Sequence, residues 1–393
     1  MKKLFQLTVS LLLIFSLFIT CSKDDTSVVQ STTQTDTDGD GVMDDVDTCP
    51  DTPQGEVVND SGCSTSQTDT DGDGITDDVD TCPDTPSGET VDSTGCSTSQ
   101  TDPNARKTYV PDYFFERKLI DLGYDDVVDN YVLTDNIENI TSLELIDSNI
   151  GDLKGIEDFV SLTYLDAGLN GILSIDVSAN TALTRLDMTH NQLSTIDVSA
   201  NTALTHLRLG NNHLSRIDVS TNTALTALIL DENSILSIDV SANTALTHLR
   251  LSDNRLESID VSTNTALTYL RLKNNQLTIS IDVSDNTALT DLGVRGNHLK
   301  SIDVSDNTAL TKLGLGSNQL ASIDVSTNTA LTELTLESNH LTSLDVSANT
   351  SLTKLFVQGN RNLTCIQLNQ TQLNTIDNLW VKDAGASYSL NCN

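Results

Sequence analysis

The stretch Leu204–Ala224, L-T-H-L-R-L-G-N-N-H-L-S-R-I-D-V-S-T-N-T-A, decides the fold because it recurs with a period of 21 residues. Copies begin at Leu162, Leu183, Leu204, Leu225, Leu246, Leu267, Leu289, Leu310, Leu331 and Leu352, with one residue added near Ile279 and a divergent unit from Ile140. Counting each copy from its first Leu, positions 4 and 6 fall on one face of a short strand, and the apolar residues at 11, 14 and 16 fill the rest of a core. One such unit has nothing to bury that face against, so neighbours must stack. The Asn at position 9 can bond buried backbone groups where the chain leaves the strand, which predicts a ladder of asparagines. With strands about 4.8 Å apart, the 11 units predict a parallel sheet on the order of 50 Å long. The segment I-D-V-S-x-N-T-A is too short and polar for a helix, so turns or short extended pieces are expected on the outer side.

The signature L-x-x-L-x-L-x-x-N-x-L resembles that of leucine-rich repeats, across residues 140–362. The resemblance implies a leucine-rich repeat solenoid with a parallel β-sheet and a mostly non-helical convex side. Open solenoid ends expose core and need caps. Residues 108–139 read as the first: Pro111–Gly123 sets Phe114, Phe115, Leu119 and Ile120 at helical spacing and stops at a glycine. The string V-P-D-x-x-F-E followed by V-L-T-x-N-I resembles the entry segment of secreted Bacteroidota leucine-rich proteins. Residues 363–393 leave the repeat, hold Trp380, Cys365 and Cys392, and read as the exit cap.

Ahead of the array, residues 36–63 and 69–96 are near copies. Each starts D-T-D-G-D-G, and the first continues V-M-D-D-V-D-T-C-P-D-T-P. Carboxylates stand at loop positions 1, 3, 5, 9 and 12: Asp36, Asp38, Asp40, Asp44 and Asp47, then Asp69, Asp71, Asp73, Asp77 and Asp80. Gly41 and Gly74 permit the turn, and the carbonyls of Val42 and Ile75 offer one more oxygen each, the spacing of a loop that wraps Ca2+. Position 12 is Asp rather than the bidentate Glu of an EF-hand, and T-C-P-D-T-P cannot continue as a helix. The pattern resembles the thrombospondin type 3 repeat, a loop of irregular structure wound around calcium, and by that resemblance these residues are calcium ligands. An acidic disordered stalk is the competing reading. Asp45 and Asp78 fall between ligand positions and are expected to face solvent. The Ser/Thr/Gln strings at 26–35, 64–68 and 97–101 read as flexible linkers.

Residues 1–20 combine a charged start with an apolar run and read as a signal peptide. Leu17–Cys21 resembles a bacterial lipoprotein cleavage site, which makes Cys21 the lipidated residue, followed by a linker over 21–35; an ordinary secretory signal is the alternative. Ser22-Lys23-Asp24-Asp25 resembles the tag that sends Bacteroidota lipoproteins to the outer face of the outer membrane. With no further domain after Cys392, the lipid is the expected attachment. The other six cysteines fit three disulfides in an oxidising compartment. Equal spacing of 14 favours Cys49 with Cys63 and Cys82 with Cys96, leaving Cys365 with Cys392. The linker over 97–107 joins the acidic repeats to the array.

The chain of 393 residues carries a formal charge of -35, of which residues 24–105 hold -21 with no Lys or Arg. Such an excess excludes nucleic acid as a partner. Against it, repeat positions 3, 5 and 7 gather His206, Arg208, His248, Arg250, Tyr269, Arg271, Lys273 and Arg295 in the middle of the concave face. Arg with Tyr is the composition of interface hot spots, so this stripe is the expected ligand surface, for an anionic protein or glycan; alternatively these side chains offset nearby acids such as Asp231, Glu232 and Asp253. The Asp at position 15, from Asp176 to Asp345, recurs in a row that local hydrogen bonds to Ser or Thr, or a row of cations, must offset. The histidines occupy variable repeat positions, and no nucleophile motif, H-E-x-x-H or phosphate loop occurs. The expected function is calcium-dependent surface display of a binding scaffold in adhesion or host and matrix interaction; the runner-up is an accessory glycan-binding lipoprotein of nutrient uptake, and no enzyme is expected.

Overall fold

The structure is a computed structural model, and it describes residues 35–86, 88–97 and 106–392. The signal segment, Cys21 and the linker over 21–34 lie outside the described residues. The chain divides into two compact units, residues 1–97 and 98–393. Among the described residues no helix is long and apolar enough to cross a membrane.

The N-terminal unit has no aliphatic core among its described residues: Val46, Val57 and Val79 are exposed, and the buried side chains include Thr52, Ser64, Thr85 and Ser97. Each repeat is closed instead by a disulfide, Cys49–Cys63 and Cys82–Cys96, and by one isolated bridge, Val58 with Ser64 and Val91 with Ser97. The segment 64–68, expected as a flexible linker, is a joint. The Gln67 and Thr68 N–H groups donate to the Ser64 carbonyl at 3.0 and 3.1 Å. Gln67 Oε1 accepts from the Thr52 hydroxyl at 2.7 Å, and Ser66 Oγ donates to Glu56 at 2.6 Å. Polar side chains mark a flexible spacer only when the chain offers them no fixed partners.

The C-terminal unit opens with β1 (Lys107–Tyr109), α1 (Tyr113–Asp121), β2 (Tyr131–Leu133) and α2 (Thr134–Ile137), with β1 and β2 antiparallel. Asp112 caps α1, its Oδ1 accepting from Phe114 and Phe115 N–H, while its Oδ2 accepts from Gly151 and Asp152 N–H at 2.8 and 3.0 Å. One carboxylate thus starts the helix and docks it on the first repeat. The buried face of α1 is Phe115, Glu116 and Leu119; Phe114, expected in the core, is 46% exposed. The reason is Glu116, whose Oε1 accepts the N–H groups of Asp129, Asn130 and Tyr131 and so rotates its own face inward.

Repeats follow as β3 (Ser142–Glu144) and then β4 to β12, at Tyr164–Asp166, Arg185–Asp187, His206–Arg208, Ala227–Ile229, His248–Arg250, Tyr269–Arg271, Asp291–Gly293, Lys312–Gly314 and Glu333–Thr335. The chain ends through β13 (Leu344–Asp345), β14 (Lys354–Phe356), β15 (Cys365–Gln367), α3 (Gln370–Thr375), β16 (Trp380–Val381) and β17 (Ser387–Ser389). One parallel sheet of 12 strands runs β3 through β12, β14 and β16. The segment 363–393 leaves the sequence repeat and yet carries the sheet on: β16 adds a strand, pairing Trp380 with Leu355. On the convex side β15 joins β13 and β17, and Cys365–Cys392 closes the end.

From Leu162 on, each turn buries its apolar residues at positions 1, 4, 6, 11 and 16. The Ile at position 14, expected in the core, is only half-buried in most turns, Ile175, Ile196 and Ile217 among them, and packs against the edge of the core. Leu204, Leu207, Leu209, Leu214 and Val219 are 0% exposed, and burying each contributes about 1.5–3 kcal/mol relative to exposure. The extra residue near Ile279 is expelled: Ile279 is 68% exposed while Leu277 and Ile281 stay buried. The ladder at position 9 is present. Asn212 Nδ2 donates to the Met188 carbonyl of the preceding turn at 2.9 Å and to Leu209 O at 3.1 Å, and its Oδ1 accepts from Leu193 N–H at 2.9 Å. A second ladder, which the sequence reading did not assign, runs at position 19. There Asn222 Nδ2 donates to Val198 O and Asn201 O, both at 2.9 Å, and the row from Asn180 to Asn349 is 0% exposed. A buried amide that satisfies two carbonyls of the turn before it fixes the spacing of turns on the outer side.

Candidate functional site

The acidic loops fold around their own carboxylates. Asp36 Oδ1 and Oδ2 accept from Gly39 and Gly41 N–H at 2.8 and 3.1 Å, and Asp40 Oδ1 accepts from Val42 N–H at 2.8 Å. The repeat's far half supplies Thr52, whose N–H donates to Asp38 Oδ2 at 2.7 Å. These bonds bring one oxygen each of Asp36, Asp38 and Asp40 within 4.8 Å of one another, and Asp69, Asp71 and Asp73 form the same group. Asp47 lies beside them: a β-carbon on Gly62, which has φ 81°, would strike the Asp47 carboxylate and come 3.3 Å from Asp40 Oδ2. Gly95 stands in the same way against Asp80. Asp40 Oδ2 and Asp73 Oδ2 are buried without a hydrogen-bond partner.

Such a donor set fits a hard divalent cation. All the donors are oxygens, the buried unpartnered atom recurs at the same place in both loops, and carboxylates this close repel unless a cation stands among them. Asp44 and Asp77 are not brought to these groups. Asp44 accepts from the hydroxyls of Thr35 and Thr37 at 2.6 and 2.8 Å and from Thr37 N–H at 2.8 Å, and Asp77 does the same with Thr68 and Thr70. The Thr35 hydroxyl foremost, then Thr37, holds the Asp44 carboxyl below its ordinary range. Both residues clasp the start of a loop to its end, a distinction that alternating aspartates do not reveal in sequence.

On the concave face the expected residues come together, but not as free cations. His248 of β8 stacks on Tyr269 of β9, ring centroids 5.6 Å apart and planes at 23°, and the Arg271 guanidinium lies 5.0 Å from the Tyr269 centroid. Arg250 Nε meets Asp231 at 2.6 Å, Arg271 Nη2 meets Asp291 at 2.6 Å, and Arg295 Nη1 meets Glu337 at 2.5 Å. Arg208 reaches Asp187 at 3.6 Å and Lys273 reaches Asp253 at 4.0 Å. The reading in which these cations offset neighbouring acids thus holds for every Arg and Lys of the stripe, and Asp291 and Glu337 are partners the sequence did not suggest. Burial pushes the Asp291 carboxyl above its ordinary value although Arg271 opposes it. At His206, whose Nδ1 lies 2.9 Å from Thr205 Oγ1, burial and then the charges of Arg185 and Arg208 lower the pKa.

Glycines make these pairs possible. A β-carbon on Gly293 would run into the Arg271 guanidinium, and one on Gly316 into the Glu337 carboxylate, so both ion pairs lie flat on bare backbone. Beside them Gly314, register partner of Gly293, keeps the sheet open, and a depression of about 290 Å³ forms between Arg250, Tyr269, Arg271, Arg295 and Gly314. On the other side of the solenoid the Asp row is held locally. The Ser hydroxyl and then the Ser N–H two residues on lower Asp176, Asp197, Asp218, Asp239 and Asp282; at Asp260, Asp303 and Asp324 the N–H leads.

With this geometry in view, comparison with known proteins separates along the two units. The thrombospondin type 3 repeat family model matches residues 33–56 and 62–89. Among solved structures, the functional domain of InlJ from Listeria monocytogenes is 31% identical over 66% of this chain and 63% of that one, with a TM-score of 0.57. An internalin, inlF, from the same organism is 24% identical over 72% of this chain and 96% of that one, TM-score 0.52. The plant peptide hormone receptor RGFR1 in complex with RGF2 is 23% identical over 64% and 47%, TM-score 0.51. The chain thus spans less than two thirds of the InlJ domain. No curated protein matches. The molecule is a parallel-sheet solenoid built like those of leucine-rich repeat proteins, preceded by thrombospondin type 3 repeats.

Proposed function

We propose that this chain is a bacterial cell-surface binding protein, of the Bacteroidota lipoprotein type, that presents its solenoid to an extracellular protein or glycan in adhesion, host or matrix interaction. Lipid on Cys21 anchors it to the outer membrane, and calcium held by Asp36, Asp38, Asp40 and Asp47, with their counterparts Asp69, Asp71, Asp73 and Asp80, stiffens the segment next to the anchor. In this reading the protein binds and does not catalyse. The observation that carries it is the stack of His248, Tyr269 and Arg271 beside an open stretch of sheet. A solenoid gains nothing in core packing from aromatic and cationic side chains on its concave face, so their clustering there is best explained by recognition.

Probing an array of glycans and matrix proteins with wild type and an Arg208, Arg250 and Arg271 triple alanine variant tests the surface. Binding that survives the triple change intact would rule it out. For the anchor, Cys21→Ala should move the protein from the membrane fraction to the medium.

A further inference from the structure

The stripe reads in sequence as a basic patch inviting an anion, and its geometry says otherwise. Arg250, Arg271, Lys273 and Arg295 each face an acid, at Asp231, Asp291, Asp253 and Glu337. Four positive charges thus stand against four negative ones. The carboxylates of Asp231, Asp291 and Glu337 lie beneath, 12%, 13% and 10% exposed against 46%, 30% and 51% for their arginines, so each cation is neutralised from below and the face carries little net charge to draw a polyanion. The pairs are also built to stay: Gly293 and Gly316 leave room for Arg271 and Glu337 to lie across the sheet, and Asp291 is held by both oxygens, Oδ1 at 2.6 Å and Oδ2 at 2.7 Å from Arg271 Nη2.

From these observations, and resting on the concave-face reading above, we infer that the ligand is a neutral oligosaccharide. Uncharged hydroxyls need donors and acceptors side by side; the neutralised guanidinium groups supply donors, and the hydroxyls of Ser252, Tyr269 and Thr335 in the lining of the depression supply acceptors. The apolar side of a sugar ring packs best on an aromatic neighbour, and Tyr269, braced by His248 and Arg271, lines the depression. The bare backbone at Gly314 lets the ring settle between the ledge and the ion pairs, in the depression of about 290 Å³. A long acidic protein segment would favour an unpaired basic groove, and a hydrophobic peptide would need apolar side chains on the floor; glycine and threonine, Gly293, Gly314 and Thr335, are there instead.

The test is an array carrying neutral oligosaccharides (mannan, xylan and β-glucan fragments), sulfated and uronate-bearing glycans, and acidic peptides. It is read with wild type, Tyr269→Ala and Asp291→Asn, each shown to melt as wild type does. Wild type should retain neutral glycans only, with affinity unchanged between low and high salt. Tyr269→Ala should lose at least tenfold, and Asp291→Asn, which frees the Arg271 charge, should weaken neutral binding and gain salt-sensitive binding to sulfated glycans. Two results overturn the inference: wild-type binding confined to anionic probes with a steep salt dependence, or no binding to any neutral oligosaccharide. In the first case the concave site stands, provided the signal is lost in the Arg208, Arg250 and Arg271 triple alanine variant. A signal that neither that variant nor Tyr269→Ala moves places the ligand elsewhere and removes the concave-face reading with it.

Discussion

Gln372 Nε2 donates to the carbonyl of Asn349 at 2.8 Å and to that of Val346 at 2.9 Å. These are the two carbonyls that the next asparagine of the position 19 ladder would have taken, so the cap ends the row with a longer amide. The same side chain closes the capping box of α3, its Oε1 accepting from Asn369 N–H at 2.9 Å. Gln372→Ala should leave two buried carbonyls without donors and cost about 2–3 kcal/mol. Because turns interact only with neighbours, the loss should be local. Hydrogen exchange should quicken over residues 344–392 and stay unchanged near Leu204; uniform quickening would contradict the nearest-neighbour picture.

Position 8 of the repeats is held in the left-handed region whatever residue stands there: Asn211 at φ 57°, Asn274 at 53°, but also Leu169 at 57°. Asn tolerates this conformation and Leu does not. Leu169 is 48% exposed and contributes little packing. Leu169→Asn should therefore stabilise the solenoid by about 0.5–1 kcal/mol, seen as a higher urea midpoint. A lower midpoint would show that the leucine packs after all.

Acid should act with two opposite signs. The Ser-bonded row from Asp176 to Asp324 has lowered pKa values, so its contribution is complete above the unfolded value near 3.8 and fades as pH falls through the folded values. Asp125 is raised to about 6, by burial first and then by the charges of Asp126, Glu116 and Asp129. The penalty on the fold is therefore full above about 6, fades as pH falls, and is gone below the unfolded value near 3.8. Asp125→Asn should raise the melting temperature at pH 7–8 and give no gain by about pH 4. Asp218→Asn should do the reverse, costing stability at neutral pH and flattening the acid limb. Melting curves across that range would separate them.

In the acidic loops the two classes of aspartate should separate in a calorimetric titration with Ca2+. Asp36, Asp38 and Asp40 changed together to Asn should remove the uptake of the first repeat and leave that of the second. Asp44→Asn keeps the clustered oxygens and loses only the clasp on Thr35 and Thr37, so stoichiometry should hold while affinity falls. Loss of stoichiometry in Asp44→Asn would make it a ligand.

Period and alternation make the solenoid legible, because a repeated apolar pattern has only one way to be buried ten times over. The asparagine at position 19 stands in S-x-N-T-A with the same regularity, and an Asn that never varies beside a position that does is the signal of a buried amide. Asp231 and Asp253 are legible in sequence as acids that offset the stripe, and what sequence hides is the pairing with Asp291 and Glu337. Arg295 and Glu337 are two turns apart, and whether they meet depends on Gly316 between them. A glycine beside an arginine on a sheet face is the only hint. Clasp and ligand aspartates cannot be told apart by type, since only the fold decides which oxygens the threonines occupy.

The expelled Ile279 shows how this architecture can lengthen. A turn of the solenoid takes an added residue at its outer corner while Asn286 still donates to Val261 O and Asn264 O at 2.9 Å. That corner is a natural port for engineering: a reporter peptide or an epitope spliced beside Ile279 would stand in solvent, with the turns on either side still in step.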